Sequence, residues 1–319
     1  MLPGAGLAEQ AATAAPRRLR SALFPTRQLG ADGWRGYLFL LPALAILGFF
    51  LVLPTVWVVV LSFFKWDFIG DPLFVGLRNY TRLIFQDELF HKSIYQTIYF
   101  VVGTVPTGIA LSLLIAVLLN AKLPGRGFLR AVLYSPYVMP VIATTVLWQW
   151  IFNADYGVMN ALLLAVHLPA VGWVRSADWI MPAIIIYSLW HFTGYNTVIF
   201  LAGLANIPPE LEEAAHVDGA GRWRTFWSIT WPLLTPTTYF VLFISMIGSF
   251  KVFVQVYQFT AGTGGPDRAA ETIGFYLYQE AFQHFRAGYA SAISVIFFLI
   301  IVVVTVTQMR LASSKVFYR

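Results

Sequence analysis

Six segments of this chain are apolar over twenty residues or more, and this length constrains the fold more than any other feature. They lie at roughly 36–64, 94–119, 131–152, 180–204, 232–254 and 288–309. A helix rises about 1.5 Å per residue, so about 20 residues cross the hydrocarbon core of a bilayer. Lipid offers no partners for unpaired backbone groups, and the runs are far longer than the strands of a membrane barrel. The sequence therefore predicts an all-α integral membrane protein with six transmembrane helices.

The composition agrees with a membrane protein and excludes several kinds of chemistry. Of 319 residues, 58% are hydrophobic and 11% are charged, whereas a soluble domain carries about 25% charged residues. The chain has no cysteine, which excludes disulfides, thiol catalysis and cysteine-ligated metals. We expect no catalytic residue and no metal site, because the five histidines are scattered and form no HExxH motif and no His/Asp/Ser grouping. They are His91, His167, His191, His216 and His284.

The basic residues predict how the chain is oriented in the membrane. If the N-terminus is inside, the larger share of the 21 lysines and arginines falls on the inner side, as the positive-inside rule requires. Both termini are then cytoplasmic. Residues 1–35 form a basic, flexible tail rather than a cleavable signal peptide, residues 36–310 the six-span domain, and residues 311–319 a second tail. The net charge of +6 follows from this asymmetry, and no nucleic-acid partner is expected.

Three outer segments lie between the predicted spans. Residues 156–173 are apolar but short and broken by Pro169, which predicts an interfacial helix rather than a seventh span. Residues 66–93 are expected to form a small folded or interfacial element. Residues 262–282, "GTGGPDRAAETIGFYLYQEAF", allow two interpretations, a contact for an external protein or a solvated, reentrant connector.

A polar stretch at 206–231 separates the fourth span from the fifth and is expected in the cytoplasm. Its first helix has proline and glutamates in the opening turn, where both are favourable. Gly219 and Gly221 are expected to break that helix by supplying backbone angles that other residues resist. A second helix begins near Arg222 and meets the fifth span at Pro232. The second helix carries one aromatic face, made of Trp223, Phe226, Trp227 and Thr230. Such a stretch is typical of a surface connector or of a helix that docks onto a partner protein.

The spacing within this stretch resembles a known motif. Glu213, Ala214 and Ala215 are followed by three residues, Gly219, nine residues, Ile229, one residue, Trp231 and Pro232. This resembles the EAA loop of ABC importer permeases, E-A-A-x3-G-x9-I-x-L-P, with Trp231 in place of leucine. Residues 36–310 are also similar to the carbohydrate branch of that family, the maltose- and glycerol-3-phosphate-type permeases. The similar stretches include "YLFLLPALAIL", "LSFFKWD", "FVGLRNYTRLI", "NAKLPGRGFLRAVLYSPYVMP", "WQWIFNADYGVMN" and "GYASAISV".

The resemblance implies a type I ABC importer permease fold in the inner membrane of a prokaryote. It also implies a second permease subunit, two ABC ATPase subunits and an extracytoplasmic solute-binding protein as partners, with a sugar, polyol or glycerol phosphate as the solute. ATP and Mg²⁺ would bind the ATPases and no cofactor would bind this chain, which has no G-x-x-x-x-G-K-[ST] phosphate loop. The residues implied in coupling to the ATPase are Glu213, Ala214, Ala215, Asp218, Gly219, Phe226, Ile229 and Pro232.

The substrate path is expected among polar and aromatic residues within the spans, because sugars bind by ring stacking and hydrogen bonds. The candidates are Gln149, Asn153, Tyr195, Asn196, Ser245, Gly248, Ser249 and Val252, with Trp150 and Thr197 beside them. The last four of those eight resemble, by position, the substrate-contacting face of the maltose-type permease, although the amide side chains of that face are absent. Lys251 either faces the cavity or extends to the outer surface, and we favour the surface.

Two other functions fit a six-span protein. An ion-coupled secondary transporter usually carries an acidic residue inside a span, and no predicted span contains Asp or Glu. A structural membrane anchor would not need the glycine-broken stretch. Dependence of solute uptake on a nucleotide separates an ATP-driven importer from both alternatives.

Overall fold

The computed structural model describes residues 33–121 and 124–313. The tails predicted at 1–35 and 311–319 lie largely outside the described residues. The helices are α1 (Gly33–Leu47), α2 (Leu53–Leu61), α3 (Arg78–Phe85), α4 (Glu88–Asn120), α5 (Arg126–Val138), α6 (Val141–Ile151), α7 (Val158–Ala165), α8 (Ala177–Ala205), α9 (Pro209–Val217), α10 (Arg222–Thr225), α11 (Trp231–Phe250), α12 (Val254–Phe259), α13 (Ile273–Tyr278) and α14 (Ala287–Ser313). The strands β1 (Phe64–Lys65) and β2 (Leu73–Phe74) pair in an antiparallel hairpin.

Five helices in the described part of the chain are long and apolar enough to cross a bilayer. They correspond to the first, second, fourth, fifth and sixth predicted spans, and are Phe39–Leu61, Glu88–Asn120, Ala177–Ala205, Arg222–Phe250 and Ala287–Leu311. The third predicted span is present as a bent pair of helices, which brings the number to six if the pair counts as one span. The prediction of an all-helical membrane protein is confirmed.

The third span, 131–152, is not the straight helix that the sequence predicted. It is made of α5 and α6, which meet at an angle of 100°. The bend falls at Met139, whose backbone is extended with ψ of 144°, followed by Pro140 at the start of α6. A proline disfavours helical angles in the residue before it and has no N–H to donate. The helix therefore ends at Val138 and starts again in a new direction.

Two spans contain a π-helical turn directly before a proline. In the first span the turn covers Gly48–Val52, and in the fifth it covers Phe226–Thr230. In each case the next residue donates its N–H to the first residue of the turn, and the residue after it is proline, Pro54 or Pro232. Because the proline cannot complete an ordinary turn, the wider π turn accommodates it. The fifth span therefore runs without a break from Arg222 to Phe250, and Pro232 is not a junction.

Helix α8 is the centre of the bundle formed by residues after Trp57. It packs against α4, α5, α11 and α12. The backbones approach most closely at Gly194, where an added Cβ would lie 1.7 Å from the carbonyl oxygen of Leu133 in α5. At Gly203 an added Cβ would lie 2.5 Å from the hydroxyl oxygen of Thr237 in α11. Small residues permit such close helix packing in a membrane, where the hydrophobic effect does not drive helices together.

The three segments that were predicted on the outer side are ordered, and one of them differs from prediction. Residues 66–93 form a small folded element, with strand β2, helix α3 and the start of α4. Residues 156–173 contain only the eight-residue α7, too short to span, as predicted. Residues 262–282 are mostly buried, and Glu271, Thr272 and Phe275 are fully so. A solvated connector is therefore the wrong interpretation of that segment.

Candidate functional site

A cavity of about 430 Å³ lies among α4, α5, α8, α11 and the turn that follows α11. Its walls combine apolar side chains with hydroxyl, amide and phenol groups. The polar residues that line it are Thr104, Tyr137, Ser188, Thr193, Tyr195, Asn196, Ser245, Ser249, Lys251 and Gln255. Such a lining, mainly apolar with a few placed polar groups, is typical of a site for a small polar molecule.

Hydrogen bonds between helices hold the polar wall of this cavity. Asn196 of α8 donates from Nδ2 to Ser245 Oγ of α11 at 3.2 Å. Thr104 of α4 lies 3.2 Å, by its Oγ1, from Ser249 Oγ, also on α11. Gly248 lies between the two serines, and an added Cβ there would meet no atom within 4 Å. The face of α11 that was predicted to contact substrate therefore borders the open space.

Two tyrosines stack against each other at the cavity wall. The ring centroids of Tyr137 in α5 and Tyr195 in α8 are 4.4 Å apart, and the ring planes differ by 20°. Tyr195 was predicted from the sequence to line the path, whereas Tyr137 was not, because it lies in a span that was expected to be straight. The signal that could have placed it is Pro140, since a bend there turns the end of α5 toward α8.

The structure brings six of the eight predicted path residues to the cavity and places two elsewhere. Tyr195, Asn196, Ser245, Gly248, Ser249 and Val252 line it. Gln149 does not, because its Nε2 donates to the carbonyl oxygen of Gln258 at 2.6 Å. Asn153 does not either, because its side-chain oxygen accepts from the backbone N–H of Asp155 at 2.9 Å in a turn. Both side chains are therefore bonded outside this cavity, and a role for them in the substrate path stays a prediction.

Lys251 lies on the cavity lining and not only at the outer surface that we favoured. It follows the last residue of α11 and is exposed, and it is among the residues bordering the space. Among the residues that the structure describes, no carboxylate lies within 4 Å of its Nζ. Val252, predicted as part of the same helical face, lies beyond the helix end and is 4% exposed.

A polar network centred on Asp87 joins two segments that lie between spans to the ends of two spans. Asp87 caps α4 by accepting from the backbone N–H of Phe90 at 2.9 Å, and its other oxygen accepts from the phenols of Tyr276, at 2.6 Å, and Tyr289. Burial and this hydrogen bond raise the pKa of Tyr276. The network connects α13 and α14 to the start of α4.

A second group of acidic side chains is buried in the same region. Glu280 accepts from His284 Nδ1 at 2.9 Å and from Arg286 Nη1 at 3.2 Å. Glu271 is fully buried and, among the described residues, has no hydrogen-bond partner; Arg268 Nη1 lies 3.9 Å away. Burial raises the pKa of Glu271 to about 7. This carboxyl therefore titrates near neutral pH.

The polar stretch 206–231 forms helix α9 and the beginning of the fifth span, and α9 contacts that span. Helix α9 starts with Pro209 and has Glu210 and Glu212 in its first turn, as predicted. The side chain of Glu212 accepts a hydrogen bond from Thr230 Oγ1 at 3.2 Å. Helix α9 thus packs against the π turn of the fifth span.

Gly219 makes the turn after α9. Its φ is +79°, a left-handed angle that residues with a Cβ resist. The N–H of Ala220 donates to the carbonyl oxygen of Ala215 at 2.9 Å. This bond ends the helix and needs the left-handed angle at Gly219. Gly221 has ordinary angles, with φ of −72°, so the prediction that both glycines supply unusual angles is wrong for Gly221.

Half of the eight coupling residues implied by the resemblance are exposed. Glu213, Ala214, Asp218 and Gly219 are exposed along one end of α9, while Ala215 is buried. Phe226, Ile229 and Pro232 are partly buried on the following helix. Exposed polar and small residues on a short, rigid helix leave a surface that a second protein can contact.

A bundle of apolar helices with a polar cavity inside and an exposed helix pair on one end defines a membrane transport subunit. Residues 108–317 match the family described as "Binding-protein-dependent transport system inner membrane component". The chain is also 35% identical over 301 residues to a probable ABC transporter permease protein, YesP, of Bacillus subtilis, covering 93% of this chain and 96% of that protein. The chain belongs to this family of inner-membrane ABC transporter permeases.

Other relatives are named for sugars. The lactose transport system permease protein LacF of Rhizobium radiobacter is 34% identical, with 88% of this chain and 94% of LacF covered. The trehalose/maltose transport system permease protein MalF of Thermococcus litoralis is 34% identical, with coverage of 86% and 92%. A solved bacterial ABC transporter for import of the acidic polysaccharide alginate has the same fold, with a TM-score of 0.74 at 23% identity, covering 90% of this chain and 98% of that one.

Proposed function

We propose that this chain is one permease subunit of an ATP-driven importer for a sugar or a related polyol or glycerol phosphate. The observation that carries the proposal is the cavity, in which stacked tyrosines, an amide and several hydroxyls face the same space. Aromatic faces and hydrogen-bonding groups together are what a sugar ring requires. The names of the lactose and the trehalose/maltose relatives support the same solute class.

The proposed solute path passes through the cavity. Asn196, Ser245 and Ser249 supply hydrogen bonds, and Tyr195 supplies an aromatic surface. A second permease subunit would complete the path, with this chain forming one side of the proposed two-subunit pore. We propose a different chain as the partner, and an extracytoplasmic binding protein that delivers the solute. A related alginate transporter has been solved in complex with a periplasmic protein that holds an alginate pentasaccharide.

Coupling to ATP is proposed to pass through the stretch 206–231. The exposed end of α9 would sit in a cleft of an ABC ATPase, one of two in the complex, with the N- and C-termini on the same cytoplasmic side. ATP and Mg²⁺ would bind those subunits. Closure of the ATPases would then move α9. The contact between Glu212 and Thr230 would transmit this movement to the fifth span beside the cavity. This is a two-state element biased by differential binding.

Purification of the tagged protein in mild detergent tests the assembly. The proposal expects two copies of an ABC ATPase and one different permease per tagged chain, and a binding protein that joins when its sugar is added. Recovery of the chain alone, or with no ATPase, in preparations that still take up solute would contradict it. No observation on the structure favours the ion-coupled alternative.

A further inference from the structure

Three tryptophans form a ladder on the helix that leads from the polar stretch into the fifth span. The ring centroids of Trp223 and Trp227 are 5.7 Å apart, and those of Trp227 and Trp231 are 5.8 Å apart. These contacts place the three indoles on one side of the helix. Trp223 is 76% exposed and Trp227 48% exposed. An exposed row of large aromatic side chains indicates a surface that something else covers.

The position of the ladder relative to the span indicates what covers it. The fifth span ends at Phe250 and is followed by the charged Lys251. With the outer edge of the hydrocarbon core placed at Lys251, the 20 residues of α11, about 30 Å of helix, reach back to Trp231. Trp231 then lies at the edge of that core. Trp227, one turn earlier on the same continuous helix, lies about 6 Å farther out, within the headgroup layer. Indole rings favour that layer because they are apolar with one N–H donor.

A positive charge accompanies the ladder. Arg224 is exposed and lies three residues before Trp227, which is a neighbouring position on a helix surface. From Arg222 to Phe250 the sequence contains no Asp or Glu. Glu212 of α9 accepts a hydrogen bond from the buried Thr230. This carboxylate therefore lies on the face of the helix that packs against α9.

We propose that Trp227, Trp231 and Arg224 form a binding site for an anionic phospholipid of the cytoplasmic leaflet. The guanidinium of Arg224 binds the lipid phosphate, and the two indoles lie beside the glycerol and the first acyl carbons. The site anchors α10 and the π turn at the membrane surface, while the exposed end of α9 lies in the cytosol, where an ATPase can contact it. The inference rests on the proposed function, because the stretch must be cytoplasmic for the site to meet that leaflet.

A protein is the other occupant that such a surface could take. A cytosolic ATPase can reach Trp223, which lies about 12 Å beyond Trp231 along the helix and thus outside the headgroup layer. It could reach Trp227 only by displacing lipid. The depth of Trp227 therefore favours lipid at Arg224 and Trp227.

Single-cysteine labelling tests the proposal cleanly, because the chain has no native cysteine. A spin label is placed at Ser228→Cys, next to Trp227 on an exposed position. Val217→Cys, 87% exposed on α9, and Phe240→Cys, 53% exposed in mid-span, give the aqueous and hydrocarbon references. The assembled transporter is placed in nanodiscs of phosphatidylcholine, or of equal parts phosphatidylcholine and phosphatidylglycerol.

The label at position 228 is expected to collide with a water-soluble nickel reagent severalfold less often than at 217 and more often than at 240. Phosphatidylglycerol is expected to reduce its mobility, and Arg224→Gln to remove that reduction. Three results would each overturn the proposal. They are nickel accessibility at position 228 equal to that at 217, the same lipid response in Arg224→Gln, and protection of the label that appears only when the ATPase is bound. Failure of the proposed function would instead appear as absence of ATP-dependent uptake in both lipid mixtures.

Discussion

Asn196 donates from Nδ2 to Ser245 Oγ at 3.2 Å, which joins the fourth and fifth spans at the wall of the cavity. Asn196 is 6% exposed, so its amide is almost fully buried, at the wall of the cavity. The carboxamide has further donor and acceptor capacity beyond this one bond. It can therefore bind a solute hydroxyl and hold the two helices together with the same group.

Replacing Asn196 by alanine is expected to weaken sugar transport. One lost hydrogen bond in a buried site is worth about 1 kcal/mol, and more if a partner remains unsatisfied, so the KM for uptake should rise about 5- to 30-fold. Measurement of uptake rate against sugar concentration in proteoliposomes checks this. The control is Thr307→Ala, whose hydroxyl bonds only within its own helix, to Val303, on an exposed face. Equal KM values for both variants would remove Asn196 from the path.

Gly248 gives a way to fill the cavity without disturbing the fold. An added Cβ there meets no atom within 4 Å, so Gly248→Leu should reach the membrane at normal levels and block the passage. Gly194→Ala is the contrasting change, because its Cβ would lie 1.7 Å from the carbonyl oxygen of Leu133. That variant should lose folded protein. Membrane abundance measured alongside uptake distinguishes the two outcomes, and normal transport by Gly248→Leu would show that the cavity is not the path.

Gly219 and Gly221 separate backbone strain from side-chain bulk in the coupling stretch. Neither has an atom within 4 Å of an added Cβ, and they differ in φ, which is +79° at Gly219 and −72° at Gly221. A left-handed angle costs a residue with a Cβ about 1–2 kcal/mol. Gly219→Leu should insert normally yet abolish nucleotide-coupled uptake, whereas Gly221→Leu should keep most of it.

Uptake and ATP hydrolysis measured together check that pair of variants. Loss of coupling appears as hydrolysis that the solute-loaded binding protein no longer stimulates. If Gly219→Leu transports at the wild-type rate, the turn does not shape a docking surface.

Glu271 should make the stability of the protein depend on pH. Burial raises its pKa to about 7 from an ordinary 4.5, although Arg268 and Lys92 act in the opposite direction and Glu280 adds to the rise. The folded state therefore binds a proton that the unfolded state releases, and stability falls as pH rises from about 4.5 through about 7. Above that range the folded protein holds a buried charge without a hydrogen bond.

Thermal unfolding in detergent across this pH range measures the effect. Glu271→Gln should flatten the dependence and raise the Tm relative to wild type above pH 7. Asp71→Asn, at an exposed position, is the matched control and should leave the curve unchanged. Identical curves for wild type and Glu271→Gln would contradict the prediction that folding raises the pKa of Glu271.

The spans and the polar stretch could be predicted because each depends on local sequence. Apolar length sets where a helix can cross lipid, and the spacing from Glu213 to Pro232 is a continuous pattern. The bend at Met139 could also have been predicted, because the residue before a proline resists helical angles. It was missed because the apolar residues continue across it and were interpreted as one straight span. The helix start at Glu88 was missed because polar residues extend that helix beyond the lipid core. The start near Arg222 was predicted, but its continuity with the fifth span was not.

The cavity could not be predicted because it depends on which helices meet. Tyr137 and Tyr195 are far apart in sequence and stack only after α5 packs on α8. Gln149 has the residue type of a sugar ligand, yet its amide bonds to the backbone of Gln258. The burial of Glu271 likewise follows from tertiary packing, since its own segment reads as a polar, glycine-rich loop.

The most direct test of the account is uptake of labelled sugar by proteoliposomes that contain this chain with its co-purified partners and the loaded binding protein. The account predicts accumulation with ATP and Mg²⁺ on the side of residues 206–231, and none with a non-hydrolysable ATP analogue or with ATP on the opposite side. Accumulation driven by a proton or sodium gradient, with no ATPase present, would contradict it.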